Sequence, residues 1–254
     1  METSIKVDKT VNLKGACAIE VAPSPGAAGL IAGVFLIDAL KAEKVGEILS
    51  PHFPQVSLVN EDGIAFPSHI DLYLYVDEKT GLKLLFIVRN FPMESGDGSY
   101  LVAKEIYMFL KASGVESLYC LGSGRVTGNG AVLVSAAKLE HAKEILEAGA
   151  KMAPSQDVLP VDRLTSFLLL FFARDGKKTC LLLSDSPSYI PDPSAAKRLL
   201  EVLLRSLKME LDLSKLDEDI RRYQQLLEGL ERSILGQTEP AREERPAREP
   251  FYIG

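Results

Sequence analysis

Four short segments of this 254-residue chain carry residue types and spacings from which a ligand site could be built. The first, Pro25-Gly26-Ala27-Ala28-Gly29, leads into an apolar run. Glycines there let backbone N–H groups approach an anion at a helix N-terminus, and they equally let a helix sit close against a sheet. The second, Arg89 to Gly98, holds Arg89 and Asp97. The third is Gly122-Ser123-Gly124-Arg125 with Gly128 and Gly130. It is one residue too long for the dinucleotide fingerprint and leads into Ala131-Val132-Leu133-Val134, a strand pattern, so the helix start that should hold a phosphate is missing. The fourth, Ser184 to Ser188, contains Asp185. Arg89, Asp97, Arg125 and Asp185 are of the kind that clamp a polar substrate or move a proton, and also of the kind that fill solvated loops.

Other chemistry is thin. There is no Gly-Lys-Ser/Thr, and Ser123 lacks the strand-to-helix elbow of a serine nucleophile. His52, His69 and His141 do not have the spacing of a helical metal site, so neither a metal nor a cofactor is expected. Cys17, Cys120 and Cys180 are far apart, odd in number and embedded in apolar runs, which reads as core thiols rather than a disulfide framework.

The elements that must position these loops alternate. Short apolar, β-rich runs occupy Cys17–Ala22, Val56–Val59, Leu72–Val76, Leu84–Val88, Val115–Leu121, Val132–Ser135 and Thr179–Leu183. Helical patterns occupy Ala27–Leu40, Tyr100–Ser113, Leu139–Ala148, Leu164–Arg174, Ser194–Leu207 and Lys215–Leu235, although Leu164–Arg174 also reads as a buried strand. Asp192-Pro193 is a helix-start signal, with the carboxylate as N-cap and proline at the first helical position. The pattern predicts an α/β domain, a mostly parallel sheet flanked by helices in three layers, over residues 1–236. It also puts the four loops at carboxyl ends of strands, where open α/β sheets bind ligands. From Lys215 onward Leu216, Ile220, Tyr223, Leu227, Leu230 and Ile234 form a narrow apolar stripe, to be covered within the subunit or between subunits.

Lys and Arg number 29 against 35 Asp and Glu, a net charge of −6, the wrong sign for a partner of nucleic-acid phosphates. The longest uncharged stretch is broken by Pro23, Pro25 and Gly26, so no membrane span is expected, and charges from Glu2 to Lys14 oppose a signal peptide. A cytoplasmic protein is the expectation. Beyond Gly236 the composition shifts: residues 237–250 hold three prolines, four Glu and three Arg, and read as a disordered tail. That tail ends in the apolar tip Phe251-Tyr252-Ile253 before Gly254, suited to docking in a partner's groove.

Several motifs resemble the proteasome assembly chaperone family of archaea. Pro23 to Gly29, then Leu36-Ile37-Asp38-Ala39-Leu40 and Ala42-Glu43-Lys44-Val45-Gly46-Glu47-Ile48, are similar to its opening. Pro51-His52-Phe53-Pro54 with Asp62-Gly63 resembles its following pair of short strands, and Tyr119-Cys120-Leu121-Gly122 its central strand. Ser186-Pro187-Ser188-Tyr189, Asp192-Pro193-Ser194-Ala195-Ala196 and Leu211-Asp212-Leu213-Ser214-Lys215-Leu216 resemble its C-terminal hallmark.

The resemblance implies a nucleoside-phosphorylase-like fold with a C-terminal helical pair, homo-oligomerisation, and a non-catalytic role in assembling or binding the proteasome core particle. Some relatives end in a hydrophobic residue, a tyrosine and one last residue that enters pockets between α subunits of that particle. Phe251, Tyr252 and Ile253 are similar to that motif, while Gly254 adds a residue that displaces the chain end by about 3.3 Å. Around Val158–Thr165 relatives carry a glycine-rich run, where this chain has Leu159-Pro160-Val161-Asp162-Arg163. The alternative from another class is an enzyme of nucleoside-phosphorylase or ATP-dependent ligase type, using Gly26, Gly29, Arg89, Gly124, Arg125 and Asp185 in the strand-end loops.

Overall fold

The computed structural model describes residues 2–59, 62–155, 159, 161–186, 190–218, 220–222 and 225. In chain order these are β1 (Ser4–Val7), β2 (Cys17–Val21), a single 3-10 turn (Pro25–Ala27), α1 (Ala28–Leu40), β3 (Glu43–Leu49), β4 (Ser57–Val59) and β5 (Ala65–Pro67). There follow β6 (Ile70–Val76), β7 (Lys83–Val88), α2 (Gly96–Ala112), β8 (Ser117–Gly124), β9 (Val132–Ala136), α3 (Leu139–Glu147), β10 (Lys151–Met152), α4 (Arg163–Arg174), β11 (Lys178–Asp185) and α5 (Pro193–Ser206).

Nine strands form one sheet in the order β1-β3-β6-β7-β2-β8-β11-β9-β10, and β4 and β5 form a separate hairpin. The centre, β7-β2-β8-β11, is parallel throughout. Antiparallel pairs flank it, β6 on β7, β3 on β6 and β1 on β3 at one side, β9 on β11 at the other. Helices α1, α3 and α5 cover one face of the sheet and α2 and α4 the other, giving three layers. All five residues of β2 are buried, because a central parallel strand is covered on both faces: Cys17, Ile19 and Val21 enter one core, Ala18 the other.

Residues 163–174 are helical and not a strand. Asp162 caps the segment by accepting from the Thr165 N–H at 3.0 Å, and Leu164, Leu168 and Phe172 fall on one buried face at steps of four. The predicted start of α5 is present, with Asp192 Oδ1 accepting from the Ala195 N–H at 2.8 Å and Pro193 next to it. Four strands had no apolar signature in the sequence. β3 is charged, glycine-interrupted and half-exposed, β1 is a half-exposed outer strand, β5 ends in Pro67, and β10 has two residues.

The three cysteines are free and buried. Of the apolar stripe, Leu216 is buried and Ile220 packs beside it against the α1 and α5 core, where Lys215 reaches Asp38 at 2.7 Å. Tyr223, Leu227, Leu230 and Ile234 lie outside the described residues, as does the whole tail with Phe251, Tyr252 and Ile253.

Candidate functional site

Because β7, β2, β8 and β11 are neighbours and parallel, the loops that follow them emerge side by side at one edge of the sheet. This brings together Gly26, Gly29, Arg89, Gly124, Arg125 and Asp185, residues spread over 160 positions of sequence. What the edge does with them follows from their partners.

At the first loop, the start of α1 is met by two serines. Ser123, on β8, accepts from the Ala28 N–H at 3.0 Å and donates to the Pro25 carbonyl at 2.6 Å. Ser24 Oγ accepts from the Ser123 N–H at 3.0 Å. The orphan donors that make a helix start attractive to an anion are thereby partly satisfied from within the protein. Gly29 has the packing role: a Cβ there would lie 2.3 Å from the Leu121 carbonyl oxygen, so α1 approaches β8 as closely as backbones allow. Gly26 is buried inside the turn at a φ of +75°, and its carbonyl accepts from the Asp192 N–H, which ties the first loop to the start of α5.

The glycine-rich third loop does cradle an anion, and the anion is Asp185. Its Oδ1 accepts from the N–H groups of Val126 (2.8 Å) and Thr127 (3.1 Å). Oδ2 accepts from Thr127 Oγ1 (2.6 Å) and from the N–H groups of Asn129 (2.8 Å) and Gly130 (3.2 Å). Left-handed backbone at Gly128 and Gly130 curls the loop so that these donors converge. Asp185 is fully buried. Burial alone would raise its carboxyl, but the bonds from Thr127 Oγ1 and the Val126, Thr127 and Asn129 N–H groups prevail and hold it well below the usual carboxylate range. Gly124 is buried beside it, its carbonyl accepting from the Ser186 N–H at 3.0 Å, and Arg125 is exposed to solvent.

Arg89 turns inward under α4. It is 1% exposed. Its Nη2 donates to Asp162 Oδ1 at 2.6 Å and to Glu20 Oε1 at 3.1 Å; Nη1 donates to the Phe91 carbonyl at 2.8 Å and lies 2.6 Å from Asp162 Oδ2. Thr165 Oγ1 lies 3.0 Å from Glu20 Oε1, its hydroxyl directed to that carboxyl. Two acids thus share one guanidinium. Burial pushes the Glu20 carboxyl up, against the pull of Arg89, and the nearby Asp162 charge adds to the rise. Glu20, Asp162 and Thr165 escaped the sequence analysis. A single acid in the middle of Cys17-Ala18-Ile19-Glu20-Val21, a run otherwise free of polar groups, was the available signal.

Next to this edge apolar side chains share a cleft with Arg89, Asn90, His69 and Asp71. The cleft, of about 470 Å³, lies beside Val88 and is walled by Leu30 and Val34 of α1 and by Leu58, Val59 and Phe66 of the β4–β5 hairpin. Val34, Val59 and Ile64 are more than half exposed. Among the described residues no cluster of His, Cys, Asp and Glu has the arrangement to hold a metal, and no helix is long and apolar enough to cross a membrane.

Comparison with known proteins places this architecture. Pyrococcus furiosus PbaB, an archaeal proteasome activator, superimposes with a TM-score of 0.82 at 24% identity, covering 91% of this chain and 99% of that one. PbaA of the same organism, an archaeal homolog of proteasome-assembly chaperone, gives a TM-score of 0.68 at 25% identity over 94% of this chain and 98% of its own. An uncharacterised protein of Methanocaldococcus jannaschii is 25% identical over 253 residues, 98% of this chain and 96% of its own length. The sequence profile of the PAC2 family matches residues 18–231, and the chain therefore belongs to the PAC2 family.

Proposed function

We propose that this protein is a non-catalytic proteasome assembly chaperone or core-particle-binding adaptor that acts by presenting surfaces to other proteins. The observation that carries this reading is the family match over residues 18–231, with PbaB and PbaA as structural relatives. The strand-end edge supports it. Arg89 and Asp185, the charged residues of this edge that the enzyme alternative relied on, are engaged in holding α4 and the glycine loop, and the neighbouring cleft has exposed apolar walls of the kind found at interaction sites. In this reading the protein is a cytoplasmic homo-oligomer. Its partner is the α-subunit ring of the core particle, and the tip Phe251-Tyr252-Ile253 makes the main contact.

Tyr252 joins a large apolar face to a hydroxyl that must find a partner when buried, so it dominates the tip's contribution. Several tails in an oligomer act together through effective concentration. Binding to purified α rings, followed by sedimentation or surface plasmon resonance, should weaken at least about tenfold on deleting residues 251–254 or on Tyr252→Ala, a loss of about 1.4 kcal/mol or more. Deleting Gly254 alone should strengthen it. Full binding after removal of all four residues would assign the contact to the folded body.

A further inference from the structure

At one side of the sheet β1 is the outermost strand, with β3 as its neighbour. The Asp8 N–H donates to the Val45 carbonyl at 2.9 Å, one step past the registered pair Val7 and Gly46. In an antiparallel ladder this makes the even-numbered residues the ones that exchange bonds with β3, so Thr3, Ile5 and Val7 turn their N–H and C=O groups outward. Thr3 Oγ1 lies 3.0 Å from Ser50 Oγ, so the chain already follows β3 before Ser4. Such a row of outward backbone groups is a template for another strand. The side chains of Glu2, Ser4 and Lys6 are exposed and line a cleft of about 800 Å³, which has Phe53, Pro54, Val56 and Phe66 among its other walls. Val56 is more than half exposed.

We infer that two copies of this chain join β1 to β1 across a two-fold axis, with Ser4 facing the partner's Ser4, so that one sheet runs through both. The inference rests on the reading above that the protein is a homo-oligomer, and assigns its interface. Two conditions select the register. Outward backbone groups must meet outward groups, so odd-numbered residues pair with odd-numbered residues. Like charges must not face one another. An axis at Ile5 sets Glu2 against the partner's Asp8 twice, an axis at Lys6 sets the two lysines against each other, and an axis at Thr3 gains no charge pair. An axis at Ser4 sets Glu2 against the partner's Lys6 twice and Thr3 against the partner's Ile5. Lys6 then stands between two acids, the partner's Glu2 and its own Glu47, which is 3.6 Å away. Paired residues point to the same face of a sheet, so the partner's Glu2, Ser4 and Lys6 extend the wall of each cleft. The two clefts open into one another, and their apolar walls face a shared joint.

Disulfide trapping and a charge swap on the full chain test this. The Ser4 pair is of the non-hydrogen-bonded kind, with Cα atoms about 4.5 Å apart, within reach of a disulfide. Oxidised Ser4→Cys should run mostly as a covalent dimer on a non-reducing gel. Val7→Cys, whose two copies lie six residues or about 20 Å apart in this register, should not cross-link. The native cysteines are buried and do not compete. In sedimentation, Lys6→Glu and Glu2→Lys should each weaken association at least about tenfold, and the double variant should restore it to within about threefold. A double variant as weak as the single ones, or no Ser4→Cys cross-link in a chain that stays oligomeric, would overturn the β1 joint and leave the homo-oligomer on another face. A chain that is monomeric at every concentration would overturn both, and β1 would then be an edge blunted by Lys6.

Discussion

Glu20 and Asp185 lie on strands of the same parallel centre, both buried, and they differ in how the protein treats their charge. Asp185 receives five hydrogen bonds, four of them from backbone N–H groups, and stays ionised. Glu20 has one guanidinium, shared with Asp162, and the Thr165 hydroxyl, and its carboxyl is pushed up. Both side chains are closed to solvent, but Glu20 lies deeper in the protein and meets fewer donors, and the two differences push its carboxyl in the same direction. An anion met by converging backbone donors is stable where it sits; two acids on one cation are held only while that cation remains.

The sharpest way to break this comparison is to remove the cation. Arg89→Met leaves Glu20 and Asp162 facing one another without compensation and should cost about 3 to 5 kcal/mol at neutral pH, read as a lowered urea midpoint. A loss under about 1 kcal/mol would mean that the two acids do not depend on Arg89. Asp185→Asn comes next. It strips the charge from five donors and turns an amide N–H toward some of them, for a loss of about 2 to 3 kcal/mol at neutral pH. The wild-type contribution is full above the ordinary aspartate range and disappears as pH falls below about 4 toward the depressed folded value. Stability of the variant should be flatter there, and a parallel acid limb in both proteins would exclude the role assigned to Asp185.

Glu20→Gln is the smallest change. The folded carboxyl is raised, so its contribution is greatest below the ordinary glutamate range, about 4.3, and declines as pH rises through the raised value. Replacing it by the neutral amide should shift stability by about 1 kcal/mol or less at neutral pH and remove that decline. A large loss at neutral pH, with the slope unchanged, would show that Glu20 is ionised and bound like Asp185.

The two acids also differ in how far the sequence revealed them. Asp185 follows Leu181-Leu182-Leu183-Ser184 at the end of an apolar run, so its place at the ligand edge could be read. Its role could not, because the donors it gathers are backbone groups from a loop more than 50 positions earlier. Glu20 was hidden by its neighbours: the strand was legible from Cys17, Ile19 and Val21, and the partner at Thr165 is 145 positions away. The same rule governs the fold. Strands buried on both faces, such as β2 and β8, announce themselves by composition. β3, half-exposed between β1 and β6, takes its conformation from pairing rather than from its own residues. The apolar wall of α1 was visible as a run with Asp38 as its only charge, yet which part of it faces outward depends on where β8 and α5 lie.

The serine cap on α1 has a consequence for the order of events during synthesis. The hydroxyl that receives the Ala28 N–H belongs to Ser123, 95 residues later in the chain, and β8 is also the strand against which Gly29 packs. At about 5 to 20 residues per second, translation takes about 5 to 19 s to deliver it. During that interval an almost uncharged helix has neither its cap nor the strand it is shaped to touch. A contact of such long sequence separation forms late and slowly, which makes the N-terminal third of the nascent chain the part most exposed to aggregation before the sheet's centre closes.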